Sequence, residues 1–256
     1  MKLTVLGGAA AGSNTGQGGS GYLVQTGETR IVLDFGPGVL PELRRHADFR
    51  TLSAIVISHV HLDHTLDLGA LRFALAYNPI KAPARIPLWL PPGGLAFLDR
   101  FAAAFAEDGK EADFFPSVFD PVEYDPKTIE IGDLRVTFRP TVHYLPCWAM
   151  RVGDGAGHDL GYTADTGPAA DLAPFFAGVK VLLSEGANAE PGPEPRATRG
   201  HLTFAEAGDL ARAAGAETLV LTHLWEERGI AAARDAAAAA FGGRVEVARP
   251  GLALAW

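Results

Sequence analysis

Residues 58–68 read Ser58-His59-Val60-His61-Leu62-Asp63-His64-Thr65-Leu66-Asp67-Leu68, directly after the apolar run of residues 54–57. In an extended segment alternate side chains share a face, so His59, His61 and Asp63 are predicted to point the same way at a strand end. His64 is predicted to follow as the chain turns. Imidazole nitrogens and a carboxylate suit zinc, and also manganese or iron. Four such side chains exceed what one open catalytic ion needs, so the pattern predicts two neighbouring divalent ions. A His-rich surface turn is the alternative, but such tracts are more typical of tails than of strand ends.

Length and composition bound the class of protein. The chain has 256 residues, 48% hydrophobic and 20% charged, which predicts one large domain over residues 1–256 built from two packed halves. A net charge of −8 and a pI of about 5.5 argue against long duplex nucleic acid as a partner. There is no run of 18 apolar residues and no signal-peptide pattern, so we expect a cytoplasmic protein without a membrane span. Cys147 is the single cysteine, which excludes an internal disulfide, and we expect it in the core.

Hydrophobic periodicity predicts two β-rich halves, each followed by helices. Strands are predicted at residues 3–7, 21–26, 30–34, 54–58, 86–90, 134–138, 147–152, 159–163, 179–184, 218–222, 245–248 and 252–256, with a turn at Gly27-Glu28. Helices are predicted at residues 39–46, 66–77, 94–106, 204–214 and 226–241. Residues 107–126 are predicted to be irregular. Their phenylalanines are predicted to pack in the core, and a pocket lining or an oligomer contact is the alternative. Residues 7–21 form either a flexible connection or a loop that borders a substrate pocket. The pattern predicts an α/β fold of two sheets packed face to face with helices outside.

Three more residues with metal-binding chemistry follow predicted strands in the second half of the chain. They are His143 in Pro140-Thr141-Val142-His143, Asp165 in Gly161-Tyr162-Thr163-Ala164-Asp165, and His223 in Leu221-Thr222-His223. A lone histidine at a strand end is usually a hydrogen-bonded structural residue. Together with the run at residues 59–64, however, they give seven candidate ligands.

The order of these seven residues resembles the metallo-β-lactamase superfamily over nearly the full chain. The resemblance implies a four-layer αββα sandwich of two mixed β-sheets with metals at the sheet edges. It further implies that His59, His61 and His143 bind one metal, that Asp63, His64 and His223 bind a second, and that Asp165 bridges the two. Leu33-Asp34-Phe35-Gly36 resembles an early Asp-x-Gly element of the family, so Asp34 is expected to hold the ligand loop rather than touch metal.

Two further motifs resemble the ribonuclease Z-like branch of that superfamily. Ser184-Glu185-Gly186-Ala187-Asn188 resembles its strand-end Glu motif, although Ser184 stands where the family usually has His. Gly200-His201-Leu202-Thr203-Phe204 resembles its His-x-Thr motif. The resemblance implies that His201 stabilises or protonates the leaving oxygen of a phosphodiester and that Glu185 orients His201. A structural residue near the start of the following helix is the alternative for His201.

Other features separate the branches. The best-known metallo-β-lactamases carry Cys where this chain has Asp165, so antibiotic hydrolysis is not expected. Flavo-diiron relatives carry Glu where this chain has His61, which favours hydrolysis over redox chemistry. The tRNA-gripping arm of ribonuclease Z is inserted between the counterparts of His143 and Asp165, and here these residues are only 22 positions apart. The chain therefore resembles small armless phosphodiesterases, including those that act on cyclic nucleotides.

We therefore predict a dinuclear phosphodiesterase in which a metal-bridging hydroxide attacks a small phosphodiester, Asp63 helps to orient the hydroxide, and His201 assists the leaving group. An ester, thioester or lactone hydrolase on the same metal site is the main alternative. A tRNA 3′-processing ribonuclease and a non-catalytic metal-binding module are less favoured. A homodimer is also expected from the resemblance, with residues 66–77 and the segment near Phe114 as candidate contacts.

Overall fold

The computed structural model describes residues 1–27, 29–125 and 128–256. Its strands are β1 (Lys2–Gly7), β2 (Gly21–Thr26), β3 (Thr29–Leu33), β4 (Ala54–Val56), β5 (Ile86–Leu90), β6 (Phe119–Glu123), β7 (Thr128–Ile131), β8 (Leu134–Pro140), β9 (Trp148–Gly153), β10 (Leu160–Tyr162), β11 (Val181–Glu185), β12 (Thr218–Thr222), β13 (Arg244–Val247) and β14 (Ala253–Ala255). Its α-helices are α1 (Val39–His46), α2 (Leu62–Thr65), α3 (Asp67–Tyr77), α4 (Gly94–Phe105), α5 (Glu111–Phe114), α6 (Phe204–Ala214) and α7 (Ile230–Phe241).

The strands form two seven-stranded mixed sheets. The first has the order β14-β1-β2-β3-β4-β5-β6, and the second has the order β13-β12-β11-β10-β9-β8-β7. In the first sheet the pairs from β14 to β3 are antiparallel and those from β3 to β6 are parallel. In the second sheet the pairs from β13 to β10 are parallel and those from β10 to β7 are antiparallel. Each half of the chain thus places the carboxyl-terminal ends of several parallel strands side by side.

The core has three apolar layers, which makes the molecule a four-layer αββα sandwich. Strand side chains alternate between the two faces of a sheet. Tyr22 and Val24 of β2 accordingly join an inner cluster with Met150 of the second sheet, whereas Leu23 between them packs under the helices of the first half. A third cluster lies between the second sheet and helices α6 and α7. The predicted fold class is therefore confirmed.

Most predicted elements are present, with their ends unchanged or shifted by one or two residues. The prediction that residues 107–126 are irregular was wrong, since they contain α5 and β6. Strand β6 includes Pro121, which an edge strand tolerates because, among the described residues, β6 pairs on one side only, with β5. Strand β7, the edge of the second sheet, was also missed. The predicted helix at residues 226–241 begins only at Ile230, after a 3-10 turn and Gly229 with a φ of 85°.

Several smaller predictions can be checked directly. Phe114, Phe115 and Phe119 are buried in the core, as is Cys147. The interval between His143 and Asp165 is filled by the two strands β9 and β10, as predicted. Glu28 of the predicted turn and Pro126 at the end of the predicted irregular segment lie outside the described residues. Among the helices formed by the described residues, none combines the length and apolar composition that a bilayer crossing requires.

Candidate metal centre

The candidate site lies where strands of both sheets end. Residues 58–64 follow β4. The other residues of the site each follow or end one strand, in the order β3, β8, β10, β11 and β12, and they are Asp34, His143, Asp165, Glu185 and His223. The carboxyl ends of parallel strands meet at one edge of a sheet, and two sheets packed face to face bring two such edges together. The structure therefore assembles residues that are up to 189 positions apart, from Asp34 to His223.

Three histidines and Asp165 form the first donor group. His61 Nδ1 lies 3.0 Å from both His59 Nε2 and His143 Nε2. Asp165 Oδ2 lies 3.6 Å from the same two Nε2 atoms. The Nδ1 atom of His143 is 2.9 Å from the carbonyl oxygen of Gly200, which can only accept a hydrogen bond. In the neutral ring the proton is therefore on Nδ1, and Nε2 directs a lone pair at the other donors.

Asp63, His64, His223 and Asp165 form the second donor group. Asp63 Oδ2 lies 3.1 Å from His223 Nε2 and 3.4 Å from His64 Nε2. Asp165 lies 3.4 Å from His64 Nε2 through Oδ1 and 3.4 Å from His223 Nε2 through Oδ2. Asp165 thus faces both groups. The structure brings all seven candidate ligands together, in the grouping that the family resemblance implied.

The prediction that Asp63 points the same way as His59 and His61 in an extended segment was wrong. The chain leaves the extended conformation at Leu62, where α2 begins. This single helical turn carries Asp63 and His64 to the second donor group, while His59 and His61 stay with the first. Side chains alternate between two faces only as long as the strand continues, so the alternation does not extend to Asp63.

Both groups have the geometry of a small divalent ion's ligand set. With zinc–nitrogen distances of about 2.0–2.1 Å, tetrahedral ligands lie roughly 3.4 Å apart. The donor–donor distances of 3.0–3.6 Å fall around that value. His64 Nε2 and Asp165 Oδ1 are buried and make no hydrogen bond within the described part of the chain. Buried polar atoms normally have partners, so these two fit metal ligands well.

The pKa values of the histidines in the two donor groups shift in different directions. Burial lowers the pKa of His59, His61 and His143, which favours the neutral imidazole that binds a metal. Burial also acts to lower the pKa of His64, but the carboxylates of Asp165 and Asp34 outweigh it and raise that pKa well above its usual range. Burial acts to raise the pKa of Asp165, and the surrounding histidines hold it well below its usual range. A cation is therefore favoured beside Asp165.

Asp34 organises the ligand segment from outside the two groups, as predicted. Its Oδ1 accepts a hydrogen bond from the Ser58 backbone N–H at 2.7 Å. Its Oδ2 accepts from the Ser58 hydroxyl (2.8 Å), His64 Nδ1 (2.7 Å) and the Tyr162 hydroxyl (2.6 Å). With its proton on Nδ1, neutral His64 directs the lone pair of Nε2 at the second donor group. Sequence reasoning assigned no role to Ser58 or Tyr162, although both stand within the quoted motifs.

The backbone around the site is tightly constrained. A Cβ at Gly36 would overlap the carbonyl oxygen of Asp63, so only glycine fits against the ligand segment there. Asp34, Ala164 and His223 have φ values of 58°, 50° and 56°, a left-handed conformation that non-glycine residues rarely adopt. One of these residues is a candidate ligand and one precedes a candidate ligand. Such conformations are typical of functional sites held by the surrounding fold.

His201 and Glu185 form a hydrogen-bonded pair beside the donor groups. His201 Nδ1 lies 2.9 Å from Glu185 Oε1. Glu185 is buried and accepts hydrogen bonds from the backbone N–H groups of Thr166, Ala187 and Leu202. The His201 ring stacks on His223 at 5.4 Å, and the two share a third possible donor set with Glu185. Burial acts to lower the pKa of His201, but Glu185, Asp165 and Asp63 raise it to about 9.

The loop at residues 7–21 borders the second donor group. The Leu224 backbone N–H donates to Gly8 O, and the Ala10 backbone N–H donates to Leu224 O. The Asn14 side chain also donates to Leu224 O. Because Leu224 directly follows His223, the loop lies beside this candidate ligand.

Comparisons with known proteins identify the family. A family model described as a beta-lactamase superfamily domain matches residues 29–224. The chain is 31% identical over 254 residues to the probable metallo-hydrolase YhfI of Bacillus subtilis, covering 98% of each protein. It is 29% identical over 269 residues to a ribonuclease Z of Mycobacterium marinum, covering 96% of this chain and 95% of the relative.

Solved structures give the same result. The crystal structure of YhfI from Bacillus subtilis superposes with a TM-score of 0.85 at 28% identity, covering 99% of this chain and 98% of that one. The structure of a diphosphatase from the PhnP family has a TM-score of 0.78 at 19% identity, covering 100% and 97% of the two chains, which shows the shared fold. On the matched domain, the fold and the arrangement of donor residues, the chain belongs to the metallo-β-lactamase superfamily of metal-dependent hydrolases.

Proposed function

We propose that this metal-dependent hydrolase is a phosphodiesterase for small substrates such as cyclic nucleotides. Two divalent ions, zinc before manganese or iron, would be held by the two donor groups, with Asp165 contributing to both. The nitrogen-rich first group favours zinc, because neutral imidazole is among its preferred ligands. Metal ligation by these seven residues stays a prediction that metal analysis can test.

The observation that carries the proposal is the pairing of His201 with Glu185 at the edge of the donor groups. The contact between His201 Nδ1 and Glu185 leaves the Nε2 side of the ring for a substrate atom. Burial acts to lower the pKa of His201, but the Glu185 carboxylate against Nδ1 raises that pKa and so favours the protonated ring. A fixed, protonated imidazole beside a metal site suits donation of a proton to a departing alkoxide oxygen.

The remaining residues support this chemistry by position. When bound, the two ions would lower the pKa of a water nucleophile and neutralise charge on a phosphate oxygen. Asp63 lies between His64 and His223 and would both bind metal and help to hold the water. Glu185 holds His201 in one orientation through its own backbone hydrogen bonds. His201, oriented by Glu185, would thus protonate the leaving group, and the ions held by the donor groups would activate the water nucleophile.

Phosphate is favoured over a carboxyl ester because three cationic centres, the two ions and His201, would surround an anionic group. A relative that covers nearly the whole chain is named a ribonuclease Z, and such an enzyme cleaves phosphodiesters. A carboxyl ester, thioester or lactone hydrolase remains the alternative, since the same ions would polarise a carbonyl. The short connection through β9 and β10 and the net charge of −8 favour a small substrate over tRNA.

The test is turnover of metal-loaded protein on bis-p-nitrophenyl phosphate and on 2′,3′- and 3′,5′-cyclic nucleotides, with p-nitrophenyl acetate as the ester control. We expect diester hydrolysis that a chelator abolishes. On the cyclic nucleotides, whose leaving oxygen is an alkoxide that needs a proton, His201→Ala should lose about 100- to 10,000-fold in kcat, the usual contribution of a general acid, and should keep its bound metal. His46→Ala is the matched control, because His46 is an exposed histidine paired with Glu42 far from the donor groups.

Three results would contradict the proposal. Hydrolysis of the carboxyl ester alone would move the function to acyl chemistry. Undiminished turnover of the cyclic nucleotides by His201→Ala would leave the metal site intact but remove His201 from the reaction. A folded, metal-loaded protein inert toward both ester classes would support a non-catalytic binding module.

A further inference from the structure

Tyr144 places an aromatic ring at the edge of the candidate site. It directly follows His143, and 54% of the residue is exposed. Its ring centroid lies 5.2 Å from that of His143 and 5.7 Å from that of His201. The other tyrosines near the ligand segment are buried and hydrogen-bonded within the core, and they are Tyr22, Tyr124 and Tyr162. Tyr144 is therefore available to a bound molecule, whereas they are not.

The Tyr144 ring is held in one position. Its hydroxyl donates a hydrogen bond to Glu194 Oε2 at 2.7 Å. A Cβ at Gly200 would come within 3.0 Å of three Tyr144 ring carbons, so the ring packs directly against the Gly200 backbone, next to His201. A ring fixed before binding loses little conformational entropy when a ligand stacks on it.

Building on the phosphodiesterase function proposed above, on which this idea rests, we propose that Tyr144 is the stacking platform for the nucleobase of the substrate. With phosphate at the donor groups, the leaving oxygen faces His201. A base linked to that oxygen through its sugar then lies on the His201 side of the site, where Tyr144 stands. Tyr144 thereby selects nucleotides over phosphate esters that have no aromatic ring.

The expected size of the effect follows from base stacking on aromatic side chains. Such contacts change affinity by about 5- to 150-fold per base. They depend weakly on which base is present, because every base has an aromatic face. We therefore expect selectivity for a base over no base, with smaller differences among adenine, guanine, cytosine and uracil.

Calorimetric titration of metal-loaded protein with AMP and with ribose 5-phosphate tests this directly. The two ligands carry the same phosphate and sugar, and only AMP carries a base. Wild type should bind AMP about 5- to 150-fold more tightly. Tyr144→Leu should bring the ratio close to one and leave the affinity for ribose 5-phosphate unchanged. Tyr144→Phe should keep the ratio, since it keeps the ring and loses only the contact with Glu194.

Tyr77→Leu is the matched control and should behave as wild type, because Tyr77 is an exposed tyrosine that stacks on Phe73 of α3. Equal binding of AMP and ribose 5-phosphate by wild type, or an unchanged ratio in Tyr144→Leu, would overturn stacking. A Tyr144→Phe variant as weak as Tyr144→Leu would assign the effect to the Glu194 contact and also overturn it. Failure of both ligands to bind would reject the phosphate site together with the platform.

Diester turnover on the same preparations separates this inference from the function on which it rests. Diester turnover without any preference for a base would contradict only the role of Tyr144. A base preference in binding without diester turnover would sink only the phosphodiesterase activity.

Discussion

Replacing Asp34 with asparagine should weaken metal binding at the second donor group while leaving the backbone undisturbed. Asparagine tolerates the left-handed φ of 58° at this position and has nearly the same shape. The Asp34 carboxylate, however, accepts four hydrogen bonds, from Ser58 N–H, the Ser58 hydroxyl, His64 Nδ1 and the Tyr162 hydroxyl. An amide keeps one acceptor oxygen and replaces the other with an NH₂ donor. In either orientation of the amide, its NH₂ group faces at least one of these four donors.

The expected loss of metal affinity depends on which ring nitrogen of His64 carries the proton. If the amide oxygen stays on the side of His64 Nδ1, a neutral and weaker acceptor replaces the carboxylate behind this ring. If the NH₂ lies there, the ring proton moves to Nε2, the atom in the second donor group. A protonated Nε2 cannot bind metal. Loss of a carboxylate partner behind a metal-binding histidine costs about 10- to 100-fold in metal affinity. One or two unsatisfied buried donors should also lower the unfolding free energy of the metal-free protein by about 2–4 kcal/mol.

Titration of metal-free protein with Zn²⁺ against a chromophoric chelator measures both affinities, and urea denaturation measures stability. We expect wild type to take up two equivalents, and Asp34→Asn to bind one of them about 10- to 100-fold more weakly. Asp67→Asn is the matched control, because Asp67 Oδ2 accepts the Leu40 backbone N–H at 2.9 Å and belongs to neither donor group. Two equivalents bound with wild-type affinity by Asp34→Asn would refute the tautomer reasoning. Equal weakening in Asp67→Asn would attribute the loss to general destabilisation.

Four further outcomes are expected. His61→Ala should lose the ion of the first group together with turnover, and two ions per chain by elemental analysis would contradict this. Gly36→Ala should lower the unfolding free energy by about 1–3 kcal/mol because the new methyl overlaps the Asp63 carbonyl, and an unchanged urea midpoint would argue against that overlap. Burial and the nearby Asp165 charge raise the pKa of the Cys147 thiol, so it should react with a disulfide reagent only after unfolding, and fast labelling of native protein would disprove this. If two copies associate through the exposed Phe73 of α3, Phe73→Glu should give monomers in sedimentation velocity where wild type gives dimers, and a monomeric wild type would remove the homodimer expectation.

The interior strands could be predicted from the sequence, and so could the edge strands β13 and β14, whereas the edge strands β6 and β7 could not. Strands β2 and β12 are runs of apolar residues, because both faces of an interior strand are covered in a four-layer fold. Strand β6 carries Pro121, and β7 buries only Ile129 and Ile131, so neither contains a continuous apolar run. Both lie at sheet edges, where pairing with a single neighbour imposes fewer demands on residue type.

The sequence by itself determined the types of the donor residues and the strand ends that carry them. Four of the seven stand within six positions, because one strand end and one helical turn are enough to present them. The family resemblance implied how the donors divide into two groups, but only the tertiary structure gave the distances within each group and the residues that hold the donors in place. Asp63 meets His223 across 160 positions, and Tyr162 reaches Asp34 across 128. Such contacts depend on how two sheets pack, and local sequence patterns record only which face of its own strand or helix a residue occupies.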